Sequence, residues 1–186
     1  MTRDDRTIIL IGYRGTGKTS VGRELARRLN RPFYDTDVLV EAREGRSIRD
    51  MVEQEGWTYF REREKAALRS LRTMHRCVVA TGGGAVLDPD NARLLISMGW
   101  IVLLTAREGI LVRRILQDPA SLEKRPSFSG TESAEQSMES MIEETKEILA
   151  QRMPIYRSLA DLVIDTANVS PGEVADRILR HFSFGE

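Results

Sequence analysis

The sequence predicts an α/β fold: a five-stranded parallel sheet with helices on both faces. Three observations predict it. Five short runs suited to strands, at 7–11, 31–35, 77–81, 100–105 and 161–165, alternate with segments of helical periodicity, and strands joined through helices lie parallel. The first run, Thr7-Ile8-Ile9-Leu10-Ile11, is almost continuously apolar, as a strand covered on both faces must be. No internal repeat or linker-like stretch divides the 186 residues, a length that supports one sizeable core.

Each element has a local reason. Residues 18–29 read as a helix with Val21, Leu25, Ala26 and Leu29 on one face. "RPFYD" (31–35) is a short strand, followed by a helix over 37–44 that stops at Gly45. Ser47 with Asp50 gives an N-cap and an acidic first turn for a helix over 48–55. Thr58 is expected to cap a further helix, 59 to about 73, with Phe60, Glu64, Ala67, Leu68 and Leu71 at helical spacing. "CVVAT" (77–81) is the third strand. Asp88-Pro89 pairs a cap with proline at the first helical position, and that helix ends at Gly99. "WIVLLT" (100–105) is the fourth strand, followed by a helix from about 107 to 117.

The stretch 118–132 is rich in turn formers and lacks periodicity, so a long loop is expected there. A helix over 134–151 follows, with Met138, Met141, Ile142, Thr145, Ile148 and Leu149 inward, ending before Pro154. "DLVID" (161–165) is the fifth strand, and Ser170-Pro171-Gly172-Glu173 is a capping box that opens the last helix.

Composition narrows the function. Hydrophobic residues are 41% and charged residues 30%, the proportions of a soluble globular protein. Lys+Arg and Asp+Glu are both 28, so no basic field gathers nucleic acid. No apolar run approaches the roughly 18–20 residues of a membrane span, and residues 1–6 lack the apolar stretch of a signal peptide. A single cysteine, Cys77, fits a reducing compartment. A cytoplasmic, monomeric protein with small-molecule partners is therefore expected.

The chemistry is concentrated first in "IGYRGTGKTS" (11–20). Gly12, Gly17, Lys18 and Thr19 match G-x-x-x-x-G-K-[ST] between a predicted strand and a predicted helix. Glycines let the backbone turn its N–H groups toward phosphate oxygens, and the helix N-terminus adds its dipole. A glycine-rich turn that binds nothing is the alternative, but the strand–loop–helix context favours phosphate. On this reading Gly12, Gly15, Thr16, Gly17, Lys18, Thr19 and Ser20 hold the phosphates of ATP. Lys18 meets the β and γ groups, and the Thr19 hydroxyl meets Mg²⁺. Neither Asp-x-x-Gly nor Asn-Lys-x-Asp occurs, which counts against a GTP switch and leaves a kinase with an acceptor site.

Other constellations fit an acceptor site. "YDTDV" puts Asp35 and Asp37 at the carboxyl end of the second strand, where open α/β sheets bind ligands. One carboxylate suits a magnesium shell and the other an acceptor hydroxyl, although one Asp at such a place often only caps the next helix. "ATGGGAV" (80–86) carries Gly82, Gly83 and Gly84. Three glycines are costly to order unless something must approach the backbone closely. Arg61 in "YFRERE" and Arg152 in "AQRMPIY" each read alone as a solvated charge. Arg125 lies in the long loop, where an arginine on a lid could reach a transferring phosphate. Aromatic residues are 6%, with no cluster suggesting a second nucleobase pocket, which counts against a nucleotide acceptor.

From Ile8 to about Phe182 the chain resembles the shikimate kinases. The resemblance rests on "GYRGTGKT", "DTD", "FRERE", "TGGGAV", "RPSFSG", "RMPIYRSLAD" and "SPGEV", in that order. It implies a P-loop kinase of the nucleoside-monophosphate-kinase type, with its core at about 7–182, a lid at about 118–132 and an acceptor-binding helical region at about 36–73. It implies MgATP-dependent phosphorylation of the shikimate 3-hydroxyl, on the route to chorismate and the aromatic amino acids. By position it implies Asp35 in the magnesium shell and Asp37 on the shikimate hydroxyls. Arg61 and Arg152 would hold the shikimate carboxylate and Gly83 would meet its ring. Arg125 would lie near the phosphates, and Arg114 and Pro171 would flank adenine. Two rivals stay open at the level of sequence: a kinase of similar fold with another small acceptor, such as gluconate, and a nucleotide-dependent switch or assembly ATPase with none.

Overall fold

The computed structural model describes residues 6–118 and 137–184. The chain runs β1 (Thr7–Ile11), α1 (Lys18–Leu29), β2 (Phe33–Asp35), α2 (Thr36–Glu44), α3 (Ile48–Ser70) and β3 (Val78–Ala80). A 3-10 turn (Ala85–Leu87) leads to α4 (Pro89–Met98), β4 (Gly99–Thr105), α5 (Glu108–Leu116), α6 (Met138–Leu159), β5 (Leu162–Asp165) and α7 (Pro171–Phe184). The five strands are all parallel, in the order β2-β3-β1-β4-β5, with Ile8 opposite Val78 on one side and Trp100 on the other.

Strand β1 explains the two-layer core. Its residues alternate between faces. Ile9 and Ile11 pack with Leu68, Leu95, Leu103 and Tyr156, on the side of α3, α4, α5 and α6. Ile8 and Leu10 pack with Val21, Leu25, Ala175 and Ile178, on the side of α1 and α7. A smaller cluster, Val40, Ile48, Met51, Phe60 and Ala67, joins α2 to α3. Strand order also places the site. β1 leads to β2 on one side of the sheet, whereas its neighbour β3 leads to β4 on the other. The loops leaving β1 and β3 therefore part above the carboxyl ends of the strands, which opens a crevice.

The expected caps form. Ser47 Oγ accepts from Asp50 N at 3.1 Å while Asp50 accepts from Ser47 N at 3.3 Å. Asp88 accepts from Asp90 N and Asn91 N ahead of Pro89. Ser170 N donates to Glu173 at 2.9 Å at the start of α7.

Three expectations need correction. Thr58 caps nothing, because α3 runs from Ile48 to Ser70 and its only non-helical backbone is Gly56, at φ 82° and ψ 171°. Helix α6 does not stop before Pro154 but continues to Leu159. A proline inside a helix costs about 3 kcal/mol. Here the helix beyond it seats Tyr156, only 1% exposed, in the core, and such a burial offsets much of that cost. On the same helix Thr145 and Leu149 are buried as expected, but Met138 is exposed.

The predicted loop 118–132 and Arg125 lie outside the described residues, apart from Asp118. Among the described residues no helix is long and apolar enough to cross a membrane.

Candidate active site

The loop after β1 is shaped by backbone conformation. Gly12, Gly15 and Gly17 have φ of 136°, 78° and 87°, a region other residues rarely occupy. Gly17 is the N-cap of α1, so Lys18, Thr19 and Ser20 begin the helix with their N–H groups facing the crevice side. Lys18 is 9% exposed, and its Nζ donates to the carbonyls of Gly12 at 2.7 Å and Tyr13 at 2.8 Å. Thr16 Oγ1 braces the loop by donating to the Tyr13 carbonyl.

Beside this loop, Thr19 Oγ1 donates to Asp35 Oδ2 at 2.7 Å. Asp35 is the N-cap of α2, and its other oxygen accepts from Asp37 N at 3.1 Å. The aspartate that caps the helix is thus also the one that meets the P-loop hydroxyl. One cleft of about 560 Å³ is lined by Gly15, Gly17, Lys18, Thr19, Ser20, Asp35, Asp37 and Arg114, with Arg14 and Arg23 at its edge. A second, of about 200 Å³, is lined by Thr16, Gly17, Ser20, Arg114 and Pro171. Arg114 ties the two together. Its guanidinium donates to the Gly15 carbonyl at 3.2 Å and to both oxygens of Thr166 at 3.0 and 2.7 Å.

The loop after β3 is built differently. Gly82, Gly83 and Gly84 are buried, and none has a left-handed φ. Side chains crowd Gly82 and Gly84 instead, and Gly83 lies against the backbone of the P-loop. A Cβ at Gly84 would overlap the Arg61 guanidinium, and one at Gly82 would overlap the carboxylates of Glu64 and Asp37. Backbone and side chains from two helices pin the loop: Gly82 N donates to Thr36 Oγ1 at 2.9 Å, and the Gly83 carbonyl accepts from the Tyr156 hydroxyl at 2.5 Å.

Arg61 lies against this loop in a narrow cleft with Ile48, Trp57, Phe60 and Glu64. Its guanidinium stands 5.4 Å from the Trp57 ring centroid and 5.1 Å from that of Phe60, within cation–π range. The sequence offers no aromatic cluster that suggests a second nucleobase pocket. The helical spacing of α3 nevertheless brings Trp57 and Phe60 into edge contact. With Phe60 2% exposed, the pair serves as packing around Arg61 rather than as an open stacking platform. Arg152 sits over the Tyr13 ring of the P-loop at 5.9 Å. Arg61 and Arg152, distant in sequence, both act by charge on Glu64 and on Tyr156.

Glu64 and Tyr156 were not foreseen as site residues. Glu64 is 1% exposed and bonded to Arg61 Nη1 at 2.6 Å. Burial pushes its carboxyl above the usual carboxylate range, against the lowering pull of Arg61. The signal in the sequence was an acid on the apolar stripe of a helix, Phe60-Glu64-Ala67-Leu68-Leu71, a place acids almost never occupy unpaired. Burial also pushes the Tyr156 phenol up, with the charge and hydrogen bonding of Arg152 working against it, so it remains a protonated donor at neutral pH. Nothing in the local sequence marks Tyr156.

In chemical terms the arrangement offers amides and one ammonium for phosphate groups, a hydroxyl–carboxylate pair beside them, and two guanidinium groups next to a glycine loop across the crevice. Comparison with known proteins points to one family. The shikimate kinase family model matches residues 14–183. The shikimate kinase of Syntrophus aciditrophicus (strain SB) is 71% identical over 179 residues, covering 96% of this chain and 92% of that protein. Shikimate kinase 2 of Yersinia enterocolitica is 38% identical over 174 residues, covering 94% of each. Among solved structures, shikimate kinase from Acinetobacter baumannii in complex with shikimate superposes with a TM-score of 0.82 at 32% identity, covering 94% of this chain and 91% of that one.

Proposed function

The chain belongs to the shikimate kinase family, and from that premise we propose how its residues divide the work of an ATP-dependent phosphotransferase with shikimate kinase activity. The P-loop amides and Lys18 hold the β and γ phosphates of ATP. Lys18 exchanges its bonds to the Gly12 and Tyr13 carbonyls for phosphate oxygens, so its charge is held in reserve at the place it is used. Adenine lies toward Arg114 and Pro171, in the smaller cleft.

Thr19 and Asp35 are the residues that would hold Mg²⁺. The fit is supported by two hard oxygen donors already paired at 2.7 Å beside Lys18, the kind of site magnesium takes when phosphates and water supply its remaining ligands. When bound, the ion neutralises charge on the phosphates.

Arg61 and Arg152 bind the carboxylate of shikimate, a planar anion that a guanidinium fork matches. Asp37 accepts a hydrogen bond from the 3-hydroxyl and holds its oxygen in line with the γ phosphorus. That oxygen bonds to phosphorus as the bond to ADP breaks, and its proton leaves along the hydrogen bond to Asp37 after the new bond has formed, giving shikimate 3-phosphate. Positioning and charge carry such a loose transfer, and little base catalysis is demanded of Asp37. The reading includes a monomer in the cytoplasm, organised as a single kinase domain whose acceptor side is the region 36–73.

The observation that carries this assignment is the placement of two guanidinium groups around the Gly82–Gly84 loop: Arg61 lies against Gly84, and Arg152 sits over the ring of Tyr13, whose backbone lies beside Gly83. The test is ADP release measured with shikimate, with gluconate and with no acceptor. Release should depend on shikimate. Equal release without acceptor would instead support a nucleotide switch.

A further inference from the structure

We infer that Tyr156 is a positioning residue for the acceptor: its hydroxyl joins the Gly83 carbonyl to the Arg152 guanidinium and so sets the acceptor's carboxylate clamp against the loop its ring lies on. The inference rests on the assignment of Arg152 to the acceptor carboxylate.

A phenol hydroxyl has one hydrogen to donate and lone pairs to accept. In Tyr156 the hydrogen goes to Gly83 O at 2.5 Å, which leaves the lone pairs of its oxygen for a donor, and Arg152, over the ring of Tyr13 beside Gly83, is a guanidinium on the same helix. Arg152 lies one helical turn earlier on α6, at the i, i+4 spacing that puts two side chains on one face. This pairing exists only because α6 continues through Pro154.

Fixing the Gly83 carbonyl has a further effect. The peptide unit is planar, so it also fixes the direction of the Gly84 N–H. Gly84 is the residue whose α-carbon abuts the Arg61 guanidinium. One hydroxyl is therefore placed on the helix face it shares with Arg152 and is linked, through one peptide plane, to the surface on which Arg61 rests. A three-glycine loop has much conformational freedom to lose, and the side chains of Thr36 and Tyr156 both hold its backbone.

The plainer account is a core tyrosine whose hydroxyl is merely satisfied. The two accounts differ in what moves when the hydroxyl is removed. Tyr156→Phe keeps the ring. If Tyr156 positions the acceptor, KM for shikimate should rise roughly 5- to 20-fold, while KM for ATP stays within about twofold. Leu149→Ala, a buried position on the same helix, is the control for loosened packing. It should lower Tm without moving KM for shikimate. Arg152→Ala and the double variant complete a cycle, and the double should raise KM for shikimate less than the product of the single effects.

Unchanged KM for shikimate in Tyr156→Phe beside a raised value in Arg152→Ala would overturn the inference and leave the clamp intact. Unchanged KM in Arg152→Ala would overturn the clamp itself. An equal rise in Leu149→Ala, or a double variant equal to the product, would also overturn the inference. If Tyr156→Phe does not fold, Tyr156→Met, which fills the space without a hydroxyl, is read by the same criteria.

Discussion

The loop after β1 and the loop after β3 each carry three glycines, and they stand side by side above the sheet. In the first, Gly12, Gly15 and Gly17 all have left-handed backbone. A Cβ at Gly17 would meet nothing within 4 Å. At Gly17 the glycine is needed for its φ alone, whereas at Gly12 a Cβ would also overlap the Leu104 carbonyl. In the second, Gly82, Gly83 and Gly84 have ordinary backbone, and at Gly84 the Arg61 guanidinium occupies the space a Cβ would take. There the glycine is needed for room. The proposed nucleotide side is thus mainly a backbone site, whose P-loop is written in a continuous stretch of chain. The proposed acceptor side is a side-chain site, assembled from Asp37 and residues 61–64, 82–84 and 152–156.

The contrast can be broken by substitution, starting with the largest effect. Lys18→Ala removes the ammonium group that the P-loop carbonyls hold. Loss of a single transition-state stabiliser typically lowers kcat on the order of 10²- to 10³-fold. Turnover should fall that far with unchanged far-UV circular dichroism, and a folded variant with normal kcat would remove Lys18 from the chemistry.

Gly84→Ala is the next in size. The new methyl meets the far end of a flexible side chain, so Arg61 gives way and the fold survives. KM for shikimate should rise on the order of tenfold, the cost of about one charge-assisted hydrogen bond. KM for ATP should stay near its starting value. A large loss of Tm with proportional loss in both KM values would mean that the loop itself had collapsed.

Gly17→Ala has the smallest effect and the opposite pattern. With open space around it, its cost is the left-handed backbone alone, about 1–2 kcal/mol. In a chain of this length that lowers Tm by roughly 2–8 °C. The P-loop should lose affinity for ATP while KM for shikimate is unchanged. A rise in KM for shikimate instead would show that the two loops do not act separately.

The same contrast explains what could be read from the sequence. The P-loop, the Ser47–Asp50 cap and the Asp88-Pro89 helix start are local, since each is completed within a few residues. All three were legible. The succession of strands and helices along the chain followed from the alternation of apolar runs, whereas the order of strands within the sheet did not. The acceptor side was legible mainly through resemblance, because its contacts are distant: Tyr156 and Gly83 are 73 residues apart. Pro154 read as a stop, since the burial of Tyr156 that holds α6 together beyond it lies in the tertiary structure. Thr58 read as a cap, since a hydroxyl before an apolar run is the usual signal, and Gly56 supplied the break two residues earlier. Glu64 read as one more position on a helical stripe, and only its burial against Arg61 gives it meaning.

Arg61→Lys, assayed for KM toward both substrates, tests the separation of the two sides most directly. Lysine keeps the charge but loses the planar fork, and the substitution leaves the P-loop untouched. KM for shikimate should rise roughly 10- to 150-fold, the range for a lost charge-assisted hydrogen bond, and KM for ATP should stay within about twofold. A rise in KM for ATP with KM for shikimate unchanged would contradict the account.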